Sequence, residues 1–136
     1  MPDRNQKVAL LQHAFLHKYN SLAAYVLAAG AYEKKGDSAL RSAVTENAGE
    51  DEVLAQEIAA AIELLEAVAR IEPYAAYVGE LNYLTLDYLR LELVRDLNTQ
   101  LTEYQTALAA LSDCPEMALF AKLIAATEGQ LARLQA

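Results

Sequence analysis

A single cysteine, Cys114, stands in 136 residues, so no internal disulfide framework can hold this chain together. That usage fits a reducing compartment, and no histidine stands near Cys114 in the sequence to make it a catalytic thiol. Tryptophan is absent, and glycine and proline contribute only 5 and 3 residues. Neither regular strand alternation nor a hairpin dipeptide such as Asn-Gly occurs, which leaves little room for sheet. Basic residues are the scarcer charge, 11 against 19 acidic, for a net charge of −8 and a pI near 4.7. Such a balance argues against nucleic acid or an anionic membrane as partner. No apolar run approaches the roughly 18 residues that span a bilayer. The opening MPDRNQKVALLQHAFLHKY lacks the apolar core of a signal peptide, so a cytoplasmic protein is expected. Gly-rich phosphate loops, Ser/His/Asp arrangements and basic patches are also missing.

What is present is a helix-former's composition. Alanine and leucine supply 50 residues, 27 and 23 respectively, and the chain is long enough to bury a real core as one domain, 1–136. The apolar share of 54% exceeds the usual range even with glycine left out of the count. A domain of this size leaves about a third or more of its surface in water, so the excess implies a sticky face. A homodimer built on the first two helices and the following link is expected, through the smooth Ala59-Ala60-Ala61, Ala67 and Ala69 and the aromatic Tyr74, Tyr77 and Tyr83.

Punctuation predicts four helices. The first runs from about Asn5 to Lys34 and stops at the basic Lys35-Gly36. Asp37-Ser38 caps the second, which extends to about Arg70, where Glu72-Pro73 ends it. A link around Tyr74 to Gly79 leads to the third, Glu80 to Leu111. Ser112-Asp113-Cys114-Pro115 then supplies a turn, a cap and a proline at the first position of the fourth, which runs to about Leu134. Leu22 and Tyr25 follow Lys18 by four and seven residues, as Leu101 and Tyr104 follow Leu97. The chain therefore reads as two similar helical hairpins of an all-α four-helix bundle, joined by a crossover link that travels its length.

Rows at seven-residue spacing outline the core. They are Leu11, Lys18, Tyr25 and Tyr32 on the first helix, and Val44, Asp51, Ile58 and Leu65 on the second. The third offers Val94, Leu101 and Leu108 beside Leu97, and the fourth Phe120, Thr127 and Leu134. Polar or charged residues interrupt these rows at Lys18, Asp51 and Thr127. In a hairpin turning near Gly36, Lys18 lies level with Leu54 and one turn from Asp51. In one turning near Asp113, Leu97 lies level with Gln130 and one turn from Thr127. All the interruptions fall in one layer at mid-bundle.

Over nearly its whole length the chain resembles the ferritin-like superfamily, bacterioferritin- and rubrerythrin-like bundles in particular, which keep a carboxylate-bridged di-iron site in that layer. The resemblance implies that the first-helix glutamate falls on Lys18, seven residues before Tyr25. The second-helix Glu-x-x-His falls on Asp51-Glu52-Val53-Leu54, and the fourth-helix motif on Thr127-Glu128-Gly129-Gln130. Gly129, which costs about 1 kcal/mol in a helix interior, matches the Glu-Glu-Gly-His run familiar from bacterioferritins and is explained as inherited. For the third helix a local Leu-Glu-Leu match selects Glu92, while the internal repeat selects Leu97. Of the six ligand positions, only Asp51 then keeps a suitable side chain. Bacterioferritin's haem-ligating methionine falls on Glu52, so haem is unsupported, and no cofactor is expected.

Two readings of the vacated layer stand side by side. Either a Lys18 ammonium faces the Asp51 carboxylate, with Thr127, Gln130 and a tyrosine hydroxyl completing the hydrogen bonds, or Lys18 snorkels out and Asp51 is wet. His13 and His17, spaced i, i+4, are able to chelate a surface metal but lie off the core row and read as solvated histidines. The expected function is a non-catalytic ferritin-like bundle working through its dimer or an unidentified protein partner. The alternative is a divergent iron or manganese oxidoreductase with ligands such as Glu92, Glu128, His13 or His17.

Overall fold

The computed structural model describes residues 1–82 and 84–136; Tyr83, one of the aromatics assigned to the sticky face, lies outside them. Helix α1 (Arg4–Tyr19) opens at Asp3, whose carboxylate accepts from the Gln6 N–H while the Gln6 side chain accepts from the Asp3 N–H. Two of the helix's orphan donors are thereby satisfied. The helix expected to reach Lys34 breaks at Asn20. Ser21 there caps α2 (Leu22–Ala28), its Oγ accepting from the Ala24 N–H at 3.1 Å. Beyond α2 the backbone of Tyr32 pairs with Leu84 and Leu86, and the chain turns through Gly36 at φ +99°, a conformation in which only glycine escapes a Cβ clash.

α3 (Ser38–Leu64) ends well before Arg70, and the proline at 73 is not what stops it. Glu66 adopts a left-handed φ of +60°, and the Arg4 guanidinium donates to the Leu65 and Glu66 carbonyls at 2.6 and 2.7 Å. A cation thus satisfies carbonyls that the helix end leaves open. Residues 67–75 then run back beside α1. Gln12 exchanges two hydrogen bonds with the Arg70 backbone, Asn20 donates to the Glu72 carbonyl, and the Tyr74 hydroxyl donates to the Ser21 carbonyl. A 3-10 helix, Ala76–Leu81, completes the return, held where the Tyr25 hydroxyl donates to Asn82.

α4 (Leu86–Ala110) starts on a Thr85 cap, and α5 (Met117–Gln135) follows the turn at 111–116. The caps expected from Asp37 and Asp113 do not form. Asp37 instead accepts from the Lys34 N–H, and Asp113 sits at φ +66° within the turn.

α3 runs antiparallel to α1, as the Arg4–Leu65 and Lys18–Asp51 contacts require. α5 runs antiparallel to α3, with Lys122 on Glu57 and Arg133 on Glu50. α4 descends beside α1, from Tyr32–Leu86 to His13–Glu103. α3 and α4 therefore point the same way, which the long return segment makes possible. The described residues form an all-α fold whose only pairing of extended backbone is an isolated Tyr32–Thr85 bridge. None of their helices is long and apolar enough to cross a membrane.

The core is divided. One apolar cluster gathers Leu11, Phe15, Leu54, Ile58, Leu111 and Phe120 toward the 111–116 turn. A second gathers Leu22, Val26, Val44, Leu89, Leu93 and Leu134 toward the Gly36 turn. Polar side chains buried from all the long helices lie between them.

Candidate functional site

The dividing layer is built around Lys18, whose side chain is wholly buried. Its Nζ lies 3.1 Å from Asp51 Oδ1 and donates to Gln100 Oε1 at 2.9 Å, with the Tyr104 ring centroid 5.7 Å away. The ammonium thus has two oxygen acceptors and an aromatic face in a region without bulk water. Asp51 is equally provided for. Ser21 Oγ donates to its Oδ2 at 2.6 Å and Gln130 Nε2 to its Oδ1 at 3.0 Å. Ser21 thereby performs two tasks, capping α2 with its lone pair and donating a hydrogen bond to Asp51.

Gln100 carries the network into α4. Its Oε1 accepts from both Lys18 and the Tyr104 hydroxyl, and its Nε2 donates to Asp96 at 2.8 Å. Burial pushes the Asp96 carboxyl above its ordinary range, against the Gln100 bond and the Lys18 charge, which favour the ionised form. Burial likewise raises the Tyr104 hydroxyl, keeping it a donor. At the edge of the layer, Arg133 binds Glu50 through two nitrogens at 2.7 and 2.8 Å, holding that carboxyl below its usual range.

The sequence-derived positions separate on inspection. Lys18, Asp51 and Gln130 come together. Thr127 is fully buried at the same level, but its hydroxyl donates to the Leu123 carbonyl of its own helix and takes no part in the network. Leu54 and Leu97 are buried in the two apolar clusters. Glu92 pairs with Arg95 on the surface of α4, away from the layer. Glu52 is exposed on α3. Tyr25 and Tyr104, matched by the internal repeat, diverge: one reaches Asn82, the other Gln100.

Four participants escaped the row pattern: Ser21, Asn47, Asp96 and Gln100. Asn47 donates to the Gln130 carbonyl and accepts from Arg133. Asn47 stands four residues from Asp51, and Gln100 three from Leu97 and four from Tyr104, on the same helical faces, which is the signal that finds them. Asp96 follows one turn before Gln100, whereas Ser21 lies beyond the break of α1 and carries no such signal.

These side chains do not fit a pair of bridged iron ions. Such a centre needs several carboxylates and imidazoles aimed inward. The layer instead offers an ammonium, amides and hydroxyls, with Asp51, Asp96 and, at its edge, the Arg133-bound Glu50 as carboxylates and, among the described residues, no imidazole. An ammonium only donates, so it competes with a metal ion for Asp51 rather than joining it as a ligand. None of the protein-family models, curated proteins or solved structures compared with this chain matches it.

Proposed function

We propose that this chain is a ferritin-like four-helix bundle in which a buried ion pair has replaced the di-iron centre, and that it works without catalysis, through a homodimer or a protein partner. One observation carries the reading: the Lys18 ammonium sits against Asp51 at the level where such bundles hold metal. The helix directions support it, since two antiparallel pairs joined by a segment that runs the length of the molecule are what that superfamily requires.

The surface between α1, α2 and α3 is the favoured dimer face. A groove of about 580 Å³ lies there, floored by small residues including Ala24, Ala48, Gly49, Ala55 and Ala59, with Tyr19 at 47% exposure beside it. A second copy approaching by helix packing would cover these apolar residues.

Light scattering at micromolar concentration tests the assembly, with a dimer expected at twice 14.9 kDa. Ala59→Glu, at a partly buried position lining the same groove, should give monomers, and a wild-type monomer would refute the dimer. Aerobic ferrous-iron oxidation tests the missing centre. The expected rate equals that of buffer, and saturable acceleration abolished by Asp51→Asn would overturn the reading.

A further inference from the structure

A second cluster lies outside the buried layer, where α1 faces α4. His13 and His17 stand one helical turn apart and aim the same ring nitrogen, Nε2, at the same oxygen, Oε2 of Glu103, at 3.0 and 2.5 Å. Their rings are nearly perpendicular, at 82° with centroids 5.0 Å apart, so the two nitrogens converge edge-on rather than stacking. The three candidate donor atoms all lie within 4.8 Å of one another. A helical i, i+4 histidine pair with a carboxylate from a facing element is a donor set matched to zinc.

We propose that His13, His17 and Glu103 form a binding site for a borderline divalent transition-metal ion of the zinc type, clamping α1 to α4 and keeping one coordination position open to solvent. Ligand atoms about 2.0–2.1 Å from a tetrahedral ion are about 3.3 Å from one another. Glu103 therefore has to withdraw by less than about 1 Å from the two nitrogens, and the nitrogens, within 4.8 Å of each other, have to settle at the same spacing to admit the ion. The side chains are free to make that adjustment, being 64%, 21% and 36% exposed for His13, His17 and Glu103. Electrostatics favour a cation as well. Asp96 and Glu72 line the same recess of about 340 Å³ as the two histidines, and the chain as a whole is acidic. Two imidazoles and one carboxylate disfavour magnesium and calcium, which demand oxygen donors. The site is independent of the proposed function, because it touches neither Lys18 nor Asp51.

The test is a titration of untagged, chelator-treated protein with Zn²⁺ against a chromophoric competitor, and with Co²⁺ for its visible absorption. One equivalent should bind in the micromolar range, with a cobalt spectrum of low coordination number, and millimolar Mg²⁺ should not compete. His13→Gln and His17→Gln should each weaken binding by at least about tenfold, since losing even an outer-shell partner costs that much. Glu103→Gln should weaken binding likewise, whereas Glu103→His, which supplies a donor again at that position, should keep or tighten it. Glu92→Gln, remote from the cluster, should change nothing. Absence of binding at 100-fold excess over micromolar protein, or less than threefold weakening in both histidine variants, would overturn the proposal.

Discussion

Replacing Lys18 with methionine removes the charge but keeps much of the stem, so it isolates the electrostatic role of the residue. Asp51 would retain its bonds from Ser21 and Gln130 yet be left with a side chain 6% exposed and no cation beside it. Stranding a buried partner of this kind costs about 3–5 kcal/mol. Asp51→Leu should cost a similar amount, because it leaves the wholly buried ammonium with Gln100 as its single oxygen acceptor. The double variant, Lys18→Met with Asp51→Leu, removes both charges. Gln100 keeps its bond from Tyr104, and Gln130 keeps its contact to Glu50 at 3.2 Å, so the layer is left with few new orphan groups. The double variant should therefore recover much of the sum of the single losses. Urea unfolding followed by far-ultraviolet circular dichroism gives the four stabilities of the cycle. A coupling above about 1 kcal/mol is expected, beyond what exposed pairs give. Additivity to within about 0.5 kcal/mol would refute the reasoning, because buried opposite charges in contact cannot act independently.

Asp96 and Gly129 give two further expectations. Because burial raises the Asp96 carboxyl, the folded state holds its proton to higher pH than the unfolded chain does. Stability from this group is therefore greatest below the unfolded value near 3.9 and falls as pH rises toward the folded value. Asp96→Asn should flatten that fall and stabilise the protein at pH 7 relative to pH 3.5, and urea midpoints across pH 3.5–7 that keep the wild-type slope would contradict it. Gly129 has open space where a Cβ would stand, so nothing in the packing requires glycine there. Gly129→Ala should raise stability by about 0.5–1 kcal/mol, and a loss would show that the residue serves a contact of the assembled protein.

The all-α class was legible because alanine and leucine dominate and breakers are rare. Lys18 and Asp51 were legible because charge interrupts otherwise apolar rows, and the cost of burying it demands a partner. The element ends were less so. Leu64-Leu65-Glu66-Ala67-Val68 keeps good helix formers past the true end of α3, where an arginine 61 and 62 residues earlier in the chain takes the terminal carbonyls. The break at Ser21 hides inside a continuous apolar pattern, and Asp51, 30 residues away in sequence, accepts the hydrogen bond of that serine. Both depend on partners that local propensity does not encode. Thr127 failed for the opposite reason: its row placed it correctly, but a threonine hydroxyl can satisfy itself on its own helix, and here it does.

The divided core also acts as a notch. Apolar rows that repeat every seven residues tolerate sliding, since leucine against isoleucine packs nearly as well one heptad along as in the native alignment. Sliding α1 by a heptad against α3 would set Lys18 against Val44 or Ile58 instead of Asp51. It would also part Ser21 from the same carboxylate. Each slipped alignment buries two unmatched charges while losing little apolar contact, so the competing alignments lie several kcal/mol above the native one. The layer spends apolar burial at the middle of the molecule, and in return the four neighbouring helix contacts share a single longitudinal setting.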